Sequence, residues 1–158
     1  TGEKGFVTAA DVNGNRLNLL ADVIIQHGKK NIEMKLHDAT KDNPEWHGKY
    51  DKVLLDAPCS ALGTIRRHPE IKRIKNNDDP VKMAAISGKI LEKAGRYLKK
   101  GGILVFSVCT FTKEETLEQI KNFSAHHPEF SVEKSYFTVT DPDDNRDIFF
   151  ICKMRKIK

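Results

Sequence analysis

The sequence predicts an α/β fold: a mostly parallel, doubly wound sheet with an antiparallel closing strand. Three observations carry that expectation. Short apolar runs at Phe6 to Ala10, Ile32 to Leu36, Lys52 to Leu55 and Ile103 to Val108 have the length and composition of strands. Stretches with apolar residues at three- and four-residue spacing lie between them, and strands alternating with helices make a parallel sheet. Last, Phe130 to Phe137 alternates and Ile148 to Met154 is strongly apolar, with Asp141-Pro142-Asp143-Asp144-Asn145 turning the chain between them, so the closing pair reads as an antiparallel edge.

The first strand ends at Asp11. Asn13 then caps a helix running to about His27, with Leu17, Leu20, Ala21 and Ile24 as its apolar stripe and Gly28 as its stop. The second strand ends at His37-Asp38, and a polar loop with Pro44, Trp46 and Gly48 follows. The third ends at Asp56. Ala57 to Asp79 then reads as one long irregular segment, basic at Arg66, Arg67, Lys72, Arg73 and Lys75; loops of that length tend to carry function. Asp79-Pro80 opens a helix to about Lys99, with Asp as cap and Pro in the first turn. That helix is expected to bury Met83, Ile86, Ile90, Leu91, Ala94 and Leu98, and Gly101-Gly102 ends it. After the fourth strand, Thr112 and Glu115 have the spacing of a capping box for a helix with Leu117, Ile120 and Phe123 on one face.

The bulk properties bound the function. The 158 residues suit one domain with a real core, and no long apolar run marks a membrane span. The formal charge of +5 permits a polyanionic partner without demanding one. Three cysteines, scattered and odd in number, are no secreted disulfide framework, so a reducing cytoplasm is the expected setting. No cysteine–histidine spacing matches a zinc site, and no metal is expected.

Ligands in doubly wound sheets sit beyond the carboxyl ends of the strands. Asp11, Asp38, Asp56 and Cys109 each follow a predicted strand, so the fold is expected to line one crevice with them. Cys59 sits in the turn after Asp56, stiffened by Pro58, and Cys109 lies ahead of the helix expected to begin at Thr112, where an amino terminus favours thiolate. Cys152, inside the last apolar run, reads as core.

The motifs carry a resemblance. Asp56-Ala57-Pro58-Cys59-Ser60, followed by Gly63 and Arg66-Arg67-His68-Pro69, is similar to the fourth motif of the Sun-type (Fmu-like) RNA cytosine-5 methyltransferases. Ser107-Val108-Cys109-Thr110 with Glu114-Glu115 resembles their sixth motif, with Val108 and Thr110 where Thr and Ser are usual. Asp147-Ile148-Phe149-Phe150-Ile151 through Met154-Arg155 resembles their closing strand.

The resemblance implies a Rossmann-like S-adenosylmethionine-dependent methyltransferase that adds a methyl group to carbon 5 of a cytosine in ribosomal or transfer RNA. Cys109 would be the nucleophile, Cys59 would assist product release, and Asp56 would hydrogen-bond the flipped cytosine. On the cofactor side, Asp11 would hold the ribose hydroxyls, Arg16 matches a basic position beside them, Asp38 would accept from the adenine amino group, and Asp56 borders the same pocket. Arg66, Arg67, Lys72 and Arg73 would face RNA phosphate. The family places a strand and a glycine-rich turn just ahead of the segment matching Thr1 to Gly5, and neither is present. The expectation is therefore one truncated catalytic domain over residues 1–158, its carboxyl-terminal part, which alone binds cofactor weakly or not at all, the full-length protein being a monomer. Two rivals stand beside this reading: a catalytically silent RNA-binding module with the same fold, and a nucleophile at Cys59, as in DNA cytosine methyltransferases.

Overall fold

The structure is a computed structural model and describes residues 5–138 and 146–158. Its chain divides into two compact units, Thr1–Asp42 and Asn43–Lys158.

In the first unit, β1 (Val7–Asp11), α1 (Gly14–Gln26) and β2 (Ile32–Leu36) form a parallel βαβ unit. Asn13 caps α1 as expected: its side-chain oxygen accepts from the Asn15 and Arg16 amides, which the first turn leaves without helical partners. Gly28, at φ 59°, ends the segment in a conformation that favours glycine. Leu17, Leu20, Ala21 and Ile24 are the half-buried positions of α1, and none of its residues is fully buried.

The second unit contains β3 (Tyr50–Asp56), the single-turn α2 (Ile71–Ile74), α3 (Asp79–Tyr97), β4 (Leu98–Val108), α4 (Leu117–His126), β5 (Phe130–Phe137) and β6 (Phe150–Lys156). Its sheet runs β3-β4-β6-β5. β3 and β4 are parallel, and β6 is antiparallel to both β4 and β5. The closing pair β5–β6 thus forms an antiparallel edge, as expected, with β5 outermost. Phe150, Cys152 and Met154 of β6 are all buried, which demands cover on both sides, whereas β5 shows a run of exposed residues from Ser131 to Tyr136 that suits an edge.

The core lies on one face of this sheet. Leu104, Phe106 and Val108 alternate inward along β4, in register with Met154, Cys152 and Phe150 of β6. Leu91 and Ala94 of α3 and Ile120 and Phe123 of α4 belong to the same buried cluster. Burial alone pushes the Cys152 thiol up to about 11, as expected of a cysteine used as a small hydrophobe.

Several expectations are corrected at the helix ends. Asp79 is the first residue of α3 rather than its cap; Asp78 holds the cap position without a side-chain bond, and Asp79 accepts instead from the Asn76 amide. Ile86 is exposed and Met83 half-buried, their places in the packed face taken by Ser87, Gly95 and Tyr97. Leu98 is buried as expected, but within β4, which begins directly after α3 and takes in Gly101 at φ 81°. The 57–79 segment is not wholly irregular, since it holds a 3-10 turn at Leu62–Thr64 as well as α2. The turn expected at 141–145 lies outside the described residues.

Two leucines separate core from surface. Leu104→Ala removes a fully buried side chain and is expected to lower unfolding stability by about 2–5 kcal/mol in urea titrations. Leu54 is 74% exposed, and Leu54→Thr is expected to stay within about 0.5 kcal/mol.

Candidate active site

Because β3 and β4 are parallel neighbours, both chains leave the sheet at the same edge. Asp56 lies opposite Ser107, and the Ala57 amide adds one more rung by donating to the Ser107 carbonyl at 3.0 Å. Pro58 then ends the ladder, since it has no N–H to give. Three residues past Asp56 comes Cys59; two past Ser107 comes Cys109. Their Sγ atoms lie 3.3 Å apart, within hydrogen-bonding contact for sulfur, and both cysteines are free and half-buried.

The turn after Cys59 is held in an unusual shape. Ala61 adopts φ 62°, ψ 18°, a left-handed conformation costing about 1–2 kcal/mol for a residue with a β-carbon. Thr64 ties it down by donating both its amide and its hydroxyl to the Ala61 carbonyl. Gly63 is the closest point of approach: its amide donates to the Cys109 carbonyl and its own carbonyl accepts from the Ile148 amide, each at 3.0 Å. A β-carbon there would stand 2.1 Å from the Ile148 carbonyl oxygen. Glycine is required by space rather than by backbone angle.

Beneath the sulfurs lies a buried polar cluster. Glu115 is fully buried, and its carboxylate accepts from the Ser60 amide at 2.6 Å, the Ser60 hydroxyl at 2.6 Å, the Thr110 hydroxyl at 3.1 Å and the Thr112 hydroxyl at 2.8 Å. Ser60 and Thr110, also fully buried, place their hydroxyl oxygens 3.0 Å apart. The expected capping box is therefore not formed. Glu115 turns inward instead of back to a backbone amide, and α4 starts only at Leu117, with Thr116 at an uncapped first position. Leu117 is exposed, and Gln119 joins Ile120 and Phe123 on the buried face. Ser60, Thr110 and Glu115 were not read as site residues in the sequence. All three stand inside the two cysteine motifs, which gave them no role, and the spacing of Glu115 three residues after Thr112 points equally to an ordinary cap.

The two thiols divide one proton unequally. A hydrogen bond from Cys109, with the backbone amides of Ala61 and Cys109, lowers Cys59 to about 7 against the opposing effects of burial and the Glu115 charge. The same contact, burial and the Asp56 charge push Cys109 well above an ordinary thiol. The contact suits one shared proton between the two sulfurs. The expected help from a helix amino terminus does not operate, because α4 begins well beyond that residue.

The remaining expected residues are distributed as follows. Asp56 is exposed at the tip of β3. Arg67 makes a two-pronged contact with Asp147, its Nε 2.9 Å from Oδ1, so its guanidinium anchors the loop to the segment before β6. Arg66, Lys72 and Arg73 are exposed, the last two on α2. In the first unit, Asp11 closes β1 and Asp38 follows β2, both at the carboxyl edge of their two-stranded sheet. Asp11 accepts from the Asn13 amide at 2.7 Å and faces Arg16 at 3.4 Å. Asp38 accepts from the Thr40 amide and hydroxyl, which hold its carboxyl below the usual range. Among the described residues no group of histidine, cysteine and carboxylate side chains could hold a metal, and no helix is long and apolar enough to cross a membrane.

Residues 1–155 match the family model of the 16S rRNA methyltransferases RsmB/F. The chain belongs to the RsmB/F family. Among curated RsmB/F relatives, it is 36% identical to the probable ribosomal RNA small subunit methyltransferase B of Bacillus subtilis, over 97% of this chain and 38% of that protein. It is 37% identical to the ribosomal RNA small subunit methyltransferase B of Thermus thermophilus, over 80% of this chain and 33% of that one. The chain thus spans little more than a third of the length of these relatives. Among solved structures it is similar to NSun6 from Pyrococcus horikoshii with SFG, at TM-score 0.81 and 30% identity over 99% of this chain and 42% of that chain. An S-adenosylmethionine-dependent O-methyltransferase from Thermotoga maritima, at TM-score 0.61 and 15% identity over 99% of this chain and 52% of that chain, shares the fold alone. The fold is thus the Rossmann-like one of S-adenosylmethionine-dependent methyltransferases.

Two predictions follow from this geometry in the RsmB/F chain. Gly63→Ala drives a β-carbon into the Ile148 carbonyl and is expected to cost about 2 kcal/mol or more, read by urea unfolding. Iodoacetamide alkylation of Cys59 is expected to rise with pH around a midpoint near 7, because the lowered value populates thiolate above that pH. In Cys109→Ala, which lacks the hydrogen bond between the thiols, that midpoint should move up toward the ordinary thiol value of 9.0.

Proposed function

We propose that this chain carries the two-cysteine centre of an S-adenosylmethionine-dependent methyltransferase that modifies carbon 5 of a cytosine in small-subunit ribosomal RNA. The observation that carries the reading is the 3.3 Å contact between two sulfurs delivered by neighbouring parallel strands. The family and the names of its relatives support RNA as the substrate.

The chemistry explains why two thiols are wanted. Carbon 5 of cytosine is a poor nucleophile. When the Cys109 thiolate adds to carbon 6, a carbon–sulfur bond forms and the ring electrons shift to carbon 5, which can then take a methyl group. Cys59 stands within hydrogen-bonding reach of the Cys109 sulfur, so the pair can hold a single proton between them as the base arrives. After methylation the carbon 5 proton must leave and the carbon–sulfur bond must break, a step that Cys59 assists. Asp56, exposed at the strand tip beside Cys109, is available to hydrogen-bond the cytosine edge.

S-adenosylmethionine, when bound, supplies an electrophilic methyl group. The first unit fits its nucleoside portion chemically: Asp11 and Asp38 each present carboxylate lone pairs beyond those used by Asn13 and Thr40, suited to ribose hydroxyls and an adenine amino group. Arg16 stands 3.4 Å from Asp11. The exposed Arg66, Lys72 and Arg73 suit phosphate, while Arg67 is engaged by Asp147.

A second reading has its own support. Cys59 carries the lower proton affinity, and a nucleophile at Cys59 would need no proton transfer before attack. One experiment separates them. With cytosine-containing RNA and cofactor, Cys59→Ala in the protein that contains this chain should accumulate a covalent RNA adduct, resolved as a shifted band under denaturing conditions. Cys109→Ala should accumulate none. The reverse pattern assigns the attack to Cys59, and RNA binding without adduct or methyl transfer in any form leaves a silent binding module.

A further inference from the structure

Glu115 is a buried carboxylate that the methyl-transfer chemistry does not call upon. Taking such a charge out of water costs several kcal/mol, and a side chain needed only to fill space would not carry it. Its surroundings show what it does. All its partners are neutral donors: the Ser60 amide and the hydroxyls of Ser60, Thr110 and Thr112. Ser60 follows Cys59 directly, and Thr110 follows Cys109. The carboxylate therefore grips both cysteine-bearing segments one residue from each sulfur. Two rungs result, an inner one of hydroxyls 3.0 Å apart and an outer one of sulfurs 3.3 Å apart. The Cys59 turn also contains the left-handed Ala61, whose strain persists only where surrounding contacts over-determine it.

We propose that Glu115 is a positioning residue: by accepting from Ser60 and Thr110 it sets the separation of Cys59 and Cys109. The proposal deepens the reading of the thiol pair as the reactive centre, but its test needs neither RNA nor cofactor. Failure of methyl transfer would therefore count against that reading alone. The charged and titratable groups acting on the pair are Glu115 at Cys59, and Asp56 and Arg67 at Cys109. Only the first is changed in the test.

The intact chain and its Glu115→Ala and Glu115→Gln variants are compared in two assays. One is the rate at which diamide closes a Cys59–Cys109 disulfide, followed by mass spectrometry; the other is the pH midpoint of Cys59 alkylation. Glu115→Ala frees the two segments and is expected to slow closure by about tenfold or more, because the thiols lose their fixed approach. Its alkylation midpoint should rise as the hydrogen bond from Cys109 is lost. Glu115→Gln removes the charge, keeps one oxygen for the Ser60 amide and turns the other into a donor, which the rotatable hydroxyls of Ser60, Thr110 and Thr112 can accept from. Closure should then stay within about threefold of the parent, since orientation is retained, while the alkylation midpoint falls, because the Glu115 charge opposes the Cys59 thiolate. A folded Glu115→Ala chain with parental closure rate and midpoint overturns the proposal. If that variant does not fold, Thr110→Val, which removes one of the gripped hydroxyls, takes its place, and a parental closure rate there overturns the proposal.

Discussion

Register between β3 and β4 governs the chemistry of this chain. With Asp56 opposite Ser107, the strands run out of pairing together and their next residues meet as partners: Cys59 with Cys109, Ser60 with Thr110. A slip of one residue would turn Leu104 and Phe106 out of the core and carry the two sulfurs to different heights. The apolar packing against α3 and α4 and the meeting of the thiols are therefore one constraint seen at two places. The core specifies the register, and the register delivers the site.

What surrounds the sulfurs holds that delivery in place. Three fasteners converge: Glu115 from below, Gly63 bridging the Cys109 carbonyl and the Ile148 amide, and the Arg67–Asp147 clamp farther along the loop. Together they join the Cys59 loop to two pieces of chain, one around Cys109 to Glu115 and one at Asp147-Ile148, and these contacts hold the strain at Ala61. The thiol pair inherits a division of labour from the same arrangement. Backbone amides and a donated hydrogen bond favour charge on Cys59, while the Asp56 carboxylate and the Cys59 thiolate disfavour it on Cys109.

Much of this was legible in the sequence, and the failures have physical causes. The bounds of β2 and β5 were readable because Ile32–Leu36 and Phe130–Phe137 stand between clear breakers or helical patterns. Asn13 was readable as a cap because its function is local. The placement of β6 between β4 and β5 was not, since strand order depends on contacts across the sheet that no periodicity encodes. Thr112 and Glu115 misled for a related reason. A capping box and a buried carboxylate bound to Ser60, far away in sequence, present the same local pattern, and only the fold decides which partner the glutamate finds. The two cysteine motifs were conspicuous as residues. The polar cluster that seats them was not, because Ser60 and Thr110 are ordinary turn residues until they are buried together.

The central claim is that the two sulfurs serve one base, with Cys109 making the bond. It is tested most directly by mapping the adduct on unmutated protein. RNA carrying 5-fluorocytosine cannot release its carbon 5 substituent as a proton, so the carbon–sulfur bond persists once methyl transfer has occurred. Digestion and tandem mass spectrometry then read which cysteine holds the nucleotide. The account predicts the methylated nucleotide on the peptide containing Cys109; its presence on Cys59, or a methylated product with neither cysteine modified, would contradict it.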